Sequence, residues 1–404
     1  MAGLGRRGGF AATAFAFAVG MLGTTLPTPL YALYRARFGF SELMITLIFA
    51  TYAAGVIAAL ILVGRLSDQI GRRRVLLPGL VLSAASAAVF LLAHGLALLI
   101  VGRFLSGLSA GIFTGTATAT LVDLAGPGSS ERATLVATVA NMGGLGCGPL
   151  LAGIVSQWGA LPLRLSFWID LGLLVPAAVG IWAMPEPVAE RGRPRLRPQA
   201  LTVPVEMRAT FVRSGLAGFA GVAVMGLFTA VAPAFLGVSL GVTSRAAIGA
   251  VVFAVFIAST AGQLALQVVP GRVALPAGCA VLIAGMGLLA LGLGVASLTL
   301  LVLGGVVAGL GQGLSFRAAL AAVNVEAPPA QRGAVASSLF VVMYVAISLP
   351  VIGVGLLAQE AGLRTAGLVF AVAVAALAAI VLLLLARSRA VSGARVPRRR
   401  ASGS

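Results

Sequence analysis

Apolar residues in this chain follow neither the two-residue alternation of a half-buried strand nor the narrow stripe of a surface helix. They gather into long runs separated by short breaks rich in arginine, proline and glycine. A helix needs about 20 apolar residues to cross the hydrocarbon core of a bilayer. Twelve runs of that kind can be placed, at 10–33, 42–63, 75–94, 97–121, 133–157, 165–184, 210–236, 246–268, 273–295, 298–323, 333–358 and 364–387. The joints around Gly95 and Ser297 are the tightest, and fusing across them would lower the count to eleven or ten. The first run follows Arg6 and Arg7 and exceeds the apolar core of a signal peptide, so it reads as an uncleaved first span.

The pattern predicts an all-α integral membrane protein of twelve transmembrane helices. Its longest polar interruption, from Pro185 to Arg208, is rich in proline and arginine, carries no apolar periodicity and divides the chain almost equally. The expected organisation is a six-helix bundle over 1–184, a basic cytoplasmic linker over 185–209, a second six-helix bundle over 210–387 and a disordered basic tail over 388–404, able to lie on anionic lipid.

Composition agrees, with 60% hydrophobic and 9% charged residues in 404. Lysine is absent, and twenty-one of the twenty-eight arginines fall on one side if both termini are cytoplasmic. By the positive-inside rule this orients the chain as a multi-pass protein of the cell (inner) membrane with both termini in the cytoplasm. The net charge of +18 is therefore topological and implies no nucleic-acid partner, because the arginines flank apolar spans instead of covering a soluble face. Trp158, Trp168 and Trp182 fall near span ends, as interfacial aromatics do. Cys147 and Cys279 lie inside apolar runs and His94 is the only histidine, which excludes a disulfide framework, a thiolate metal site and most metal-dependent membrane enzymes.

An internal repeat supports the division. Ser106-Gly107-Leu108-Ser109-Ala110-Gly111 aligns with Ala308-Gly309-Leu310-Gly311-Gln312-Gly313 at an offset of 202, while Arg132 and Pro149 align with Arg332 and Pro350 at 200 and 201. A parallel duplication of six spans is an architecture of transporters whose halves rock about a midplane site.

The break Gly64-Arg65-Leu66-Ser67-Asp68-Gln69-Ile70-Gly71-Arg72-Arg73-Arg74 crowds charge between two spans. With Gly64, Leu66, Asp68, Gly71, Arg72 and Arg73 it resembles the loop between helices two and three of the major facilitator superfamily, a resemblance that extends over essentially the whole chain. It implies an inner gate in which Asp68 and Arg72 interact with Asp123 at the end of helix four and lock the bundles in the outward-facing state. The corresponding loop of the second half, Pro270-Gly271-Arg272, lacks the pattern. Arg103, followed by Gly107 and Gly111, matches the family's helix-four arginine, which acts on a nearby carboxyl during proton exchange; the alternative is an arginine snorkelling to the outer interface. Gly144, Gly148, Pro149 and Gly153 in helix five resemble a motif of exporters that exchange substrate for protons, with Ala152 in place of one glycine. The chain is thus similar to the twelve-helix drug:proton antiporters.

Of the ten acidic residues most lie in loops, and Asp170, inside the sixth span, is the candidate proton carrier unless Arg164 neutralises it. Glu42 reads as an N-terminal cap, and Arg317 as a partner of Glu326 or of a carboxyl in the first half. The family fold places helices 1, 2, 4, 5, 7, 8, 10 and 11 around the cavity, where Tyr52, Asn141, Phe228, Phe256, Gln263, Gln312 and Tyr344 sit at mid-span depth. Such a pocket suits an uncharged or lipophilic solute. Nothing resembles a Walker loop, so the resemblance implies no cofactor and the proton gradient as energy source. The expected protein is a monomeric, non-enzymatic exporter of drugs or other lipophilic compounds, whose partners are a small-molecule substrate and membrane lipid. The alternatives are an exporter of one metabolite (a sugar, an amino acid or a self-made antibiotic), an importer, or a non-transporting membrane receptor.

Overall fold

A computed structural model describes residues 4–64, 66–126, 128–188 and 198–394, and all of its regular elements are helical. Arg65, the arginines at 191, 193, 195 and 197, and the tail from 395 onward lie outside the described residues. Ten spans are separate: α1 (Arg6–Phe38), α2 (Glu42–Val63), α3 (Arg73–Leu91), α4 (Leu96–Ala125), α5 (Ser130–Trp158), α6 (Leu165–Ala183), α7 (Val205–Ala230), α8 (Arg245–Gln267), α9 (Gly271–Gly294) and α10 (Leu298–Glu326). One continuous element then runs from Arg332 to Ala394, and Gly362, at φ 81° and ψ 159°, turns it into α11 (332–361) and α12 (363–394). The chain thus crosses twelve times. Its least marked joint is this single glycine; at the two joints that looked tightest, Gly95 is extended and the Ser297 hydroxyl caps α10 by accepting from the Leu300 amide.

Local chemistry sets the breaks. In α1 the prolines 27 and 29 end the first helical stretch at Thr25 and a 3-10 turn, Thr28–Leu30, restarts it as Tyr31–Phe38. After α7 the chain passes through a π-helical turn, Phe235–Ser239, before Ser244 caps α8.

Helices α1 to α6 form one bundle and α7 to α12 the other, each around its own apolar core, with Phe17 and Phe113 stacked in the first and Phe228, Phe235 and Met286 buried in the second. Exposed positions such as Val81, Val175 and Leu383 are apolar, as a lipid-facing surface requires. Glycines bring backbones close at several crossings in each bundle, and one of these crossings recurs in both halves. A methyl group on Gly55 would overlap the Phe104 carbonyl, and one on Gly107 the Tyr52 carbonyl, where α2 crosses α4. In the second half α8 crosses α10 the same way, with Gly309 on the Val255 carbonyl and Gly313 on that of Ser259. Gly107 and Gly309 are the repeat equivalents read in the sequence, so the duplication conserves a contact between backbones. Hydroxyl-to-carbonyl bonds add to this packing: Ser86 donates to Gly102 and Ser109 to Gly79 between α3 and α4, and Thr25 to Leu145 between α1 and α5, each at 2.8 Å.

Gly107→Val is expected to separate α2 from α4 and cost about 1–3 kcal/mol by overpacking, read as a lowered melting temperature of the purified protein. Gly143→Ala, at a position where an added methyl group meets nothing within 4 Å, is expected to leave it level or raise it.

Candidate functional site

Three groups of residues stand where helices of different spans meet. The first is the α2–α3 loop. Gly71, at φ 99°, takes a left-handed turn open to glycine, which aims the amides of Arg72 and Arg73 at one carboxylate. Glu186, just past α6, accepts from them at 2.7 and 2.9 Å and thereby caps α3, where the helix dipole favours negative charge. The Arg72 guanidinium meets Asp123 at 2.9 Å, Asp68 at 2.6 Å and the Ser67 hydroxyl at 2.8 Å. Arg73 donates to the Trp182 carbonyl, and Arg6 to that of Asp123. Gly64 ends α2 with the Gln199 side-chain oxygen against it, while the Gln199 backbone N–H donates to the Ile61 carbonyl.

Asp68, Arg72, Arg73 and Asp123 are thus brought together, but as a brace among α1, α3, α4 and α6 inside the first bundle. Among the described residues none of their hydrogen bonds or ion pairs reaches the second bundle, so in this conformation they do not lock the halves to each other. Nothing in the sequence marks Glu186 as central to this brace, because its partners are backbone amides that any residues would supply.

The second group joins the bundles. In the α5 motif Gly144 and Gly148 face α1, against the carbonyls of Ala18 and Leu22. Pro149 and Gly153 face α8: the Pro149 carbonyl lies on Gly249, and Gly153 on the Arg245 carbonyl. Arg245 adds two bonds across the same seam, its amide to the Gln157 side chain at 2.8 Å and its guanidinium to the Ser156 carbonyl at 2.6 Å. Gly355 of α11 packs on Thr46 of α2 at the same end. The bundles are therefore closed on the face opposite the arginine-rich loop. Toward the arginine-rich face α5 and α8 diverge around a polar cleft lined by Glu131, Thr134, Gln263, Gln267 and Arg317. Arg317 pairs with neither Glu326 nor Glu131 across it. Glu42 proves to be an ion-pair partner of Arg35.

The third group is a cavity at the junction of the bundles. Tyr52, Asn141, Phe256, Gln312 and Tyr344 line it as expected, joined by Thr24, Arg103, Met142, Met225 and Met343. The rings of Tyr52 and Tyr344 meet edge-on across the two bundles with centroids 6.3 Å apart, and Gln312 accepts from the Ser259 hydroxyl at 2.5 Å. Two expectations are corrected. Phe228 is fully buried in the second core, against Gly305, because its helix turns it toward α10; Gln263, a turn or more deeper along α8, lines the polar cleft instead. The free space is about 100 Å³, a few waters' worth, so a solute of drug size enters only as the bundles part.

Arg103 does not snorkel. It is 1% exposed, donates to the Thr24 carbonyl, and lies over the rings of Phe49 and Tyr52 at 5.3 and 4.9 Å. Asp170 is equally buried, with its carboxyl against Gly23 of α1, its Oδ1 without a hydrogen-bond partner, and no ion pair to Arg164 or Arg103. The two side chains therefore touch adjacent residues of α1 without touching each other. Among the described residues no cluster of histidine, cysteine, aspartate and glutamate has the makings of a metal site.

Glu186→Ala is expected to leave the α3 amides uncapped and destabilise the protein by about 1–2 kcal/mol. Thermal unfolding measures this, with the exposed Glu360→Ala as the control expected to stay within about 0.5 kcal/mol of the parent.

The major facilitator superfamily pattern matches residues 10–283. Among curated proteins, a triacylglyceride transporter of Mycolicibacterium smegmatis is 32% identical over 139 residues, 34% of this chain and 24% of that protein. The multidrug resistance protein MdtL of Escherichia coli is 39% identical over 71 residues, 18% of each chain. The matched segments thus span a quarter or less of these relatives. Among solved structures, the inward-facing, unoccupied form of a bacterial homologue of the human lysosomal transporter Spinster superposes with a TM-score of 0.71 at 15% identity, over 95% of this chain and 98% of that one, a likeness of fold. With that match over most of its length, a twelve-span fold of two six-helix bundles and a cavity between them, the chain belongs to the Major Facilitator Superfamily, a family of transporters and not of enzymes.

Proposed function

We propose that the protein is a proton-coupled secondary transporter that exports drugs or other small lipophilic compounds by alternating access. It works as a monomer in the cell (inner) membrane, with its termini and arginine-rich face in the cytoplasm, no cofactor and no nucleic-acid partner. The observation that carries this reading is the cavity wall. Apart from Arg103 and a few hydroxyl and amide groups it is made of methionine, aromatic and aliphatic side chains. Such a wall offers a sugar or an amino acid few partners for its polar groups, whereas apolar solutes fit it and methionine adapts to varied shapes. The short match to MdtL, named for multidrug resistance, supports drugs as the cargo.

The coupling falls to Asp170. A buried carboxyl with a free oxygen and no ion pair suits a group that takes up and gives back a proton, in contrast to Asp123, which Arg72 holds in a pair. Because Asp170 rests on Gly23 and Arg103 on Thr24, a change at the carboxyl reaches the cavity wall through one turn of α1. Closing of the arginine-rich face brings Glu131 of α5 toward Arg317 of α10 across the cleft. The match to a protein named as a triacylglyceride transporter favours a second reading, export of one specific lipid.

Inverted membrane vesicles energised acid inside test the proposal, with lipophilic cations, anions and neutral antibiotics added in turn. At least one class is expected to drive proton release in the parent and none in Asp170→Asn, with Asp68→Asn slowed but not altered in specificity. Release that persists in Asp170→Asn removes this carboxyl as the carrier, and no release with any compound removes antiport.

A further inference from the structure

We infer that the central cavity selects lipophilic anions, with Arg103 as the seat for a solute's carboxylate, sulfonate or phosphate group; the inference rests on the reading of the cavity as a site for lipophilic solutes. Among the described residues Arg103 is the only charged one in its lining, and no acidic residue contributes to the wall. A guanidinium carries five N–H donors and keeps its proton in proteins. Among the described residues its hydrogen bonding is limited to the Thr24 carbonyl, and its Nε–H is buried with no acceptor. The faces of Phe49 and Tyr52 moderate the charge without neutralising it.

A buried cation of this kind, costly to keep and open toward a binding space, is met best by an anion arriving with the solute. The planar fork of arginine presents paired donors that match carboxylate and phosphate oxygens. A cationic solute would instead bring a second positive charge to a wall without a carboxylate, and like charges at low dielectric repel strongly. A neutral solute with an acceptor oxygen can satisfy the Nε–H but leaves the buried charge uncompensated. The remaining lining, with Met142, Met225, Phe256 and Met343, receives the apolar part of the molecule. Asp170 does not compete for Arg103, since it lies against Gly23 and outside the lining.

The test uses the full-length protein in dodecyl maltoside at pH 8 and the fluorescent probe 11-(dansylamino)undecanoic acid beside its uncharged primary amide. The acid is expected to bind the parent about ten-fold or more tightly than the amide. In Arg103→Gln the acid falls to the affinity of the amide, which is itself retained, and Arg103→Lys lies between. Displacement by laurate identifies a single-chain solute and displacement by phosphatidylglycerol a bilayer lipid, both through the same anion seat. Equal binding of acid and amide by the parent overturns the anion inference and leaves the lipophilic cavity standing, a comparison that holds even if the variants fail to fold. Equal loss of both probes in a stable Arg103→Gln gives Arg103 a structural role and also overturns it. Failure of both probes to bind the parent overturns the lipophilic reading itself.

Discussion

The constraint on which this structure depends is the absence of water along most of each helix. Backbone groups in the spans must bond within their own helices, and apolar side chains gain nothing by leaving lipid for one another. Cohesion has to come from close contact and from scarce, short polar bonds. The crossings of α2 with α4 and of α8 with α10 supply it through glycines that admit carbonyls where a methyl group would collide. Hydroxyl groups reaching carbonyls of neighbouring helices complete it.

From that packing follows the division of labour between the halves. Within the first bundle the loop brace ties helix ends together through Arg72, Glu186 and Asp123, where water is near and charge is affordable. Between the bundles the seam is made by small residues of α5 against α8 and of α11 against α2, with two bonds from Arg245 at one end. A seam packed through small residues at one end and lined by polar residues at the other is suited to rocking.

Arg103 and Asp170 are fully buried ionisable groups inside the spans, and both lean on the same turn of α1. Neither is neutralised by the other, so among the described residues each is buried without an ion pair. The prolines 27 and 29 break α1 just beyond this turn, which closes its first helical stretch at Thr25.

The sequence by itself determined the environment, the count of crossings, the halves and the repeat. Each of these is written in the length and spacing of apolar runs, which a bilayer reads without reference to any partner. It also marked Asp68, Arg72, Asp123, Arg103, Asp170 and the α5 glycines, because charge and glycine are conspicuous in an apolar span. Tertiary structure alone decided what these residues touch. That Phe228 turns inward, that Gln263 lines a cleft, that Glu186 caps α3 and that the brace stays within one bundle depend on the rotation of each helix about its axis. A helix apolar all round has almost no moment to fix that rotation, so it is set by the fit of glycines and carbonyls on neighbouring helices, far away along the chain.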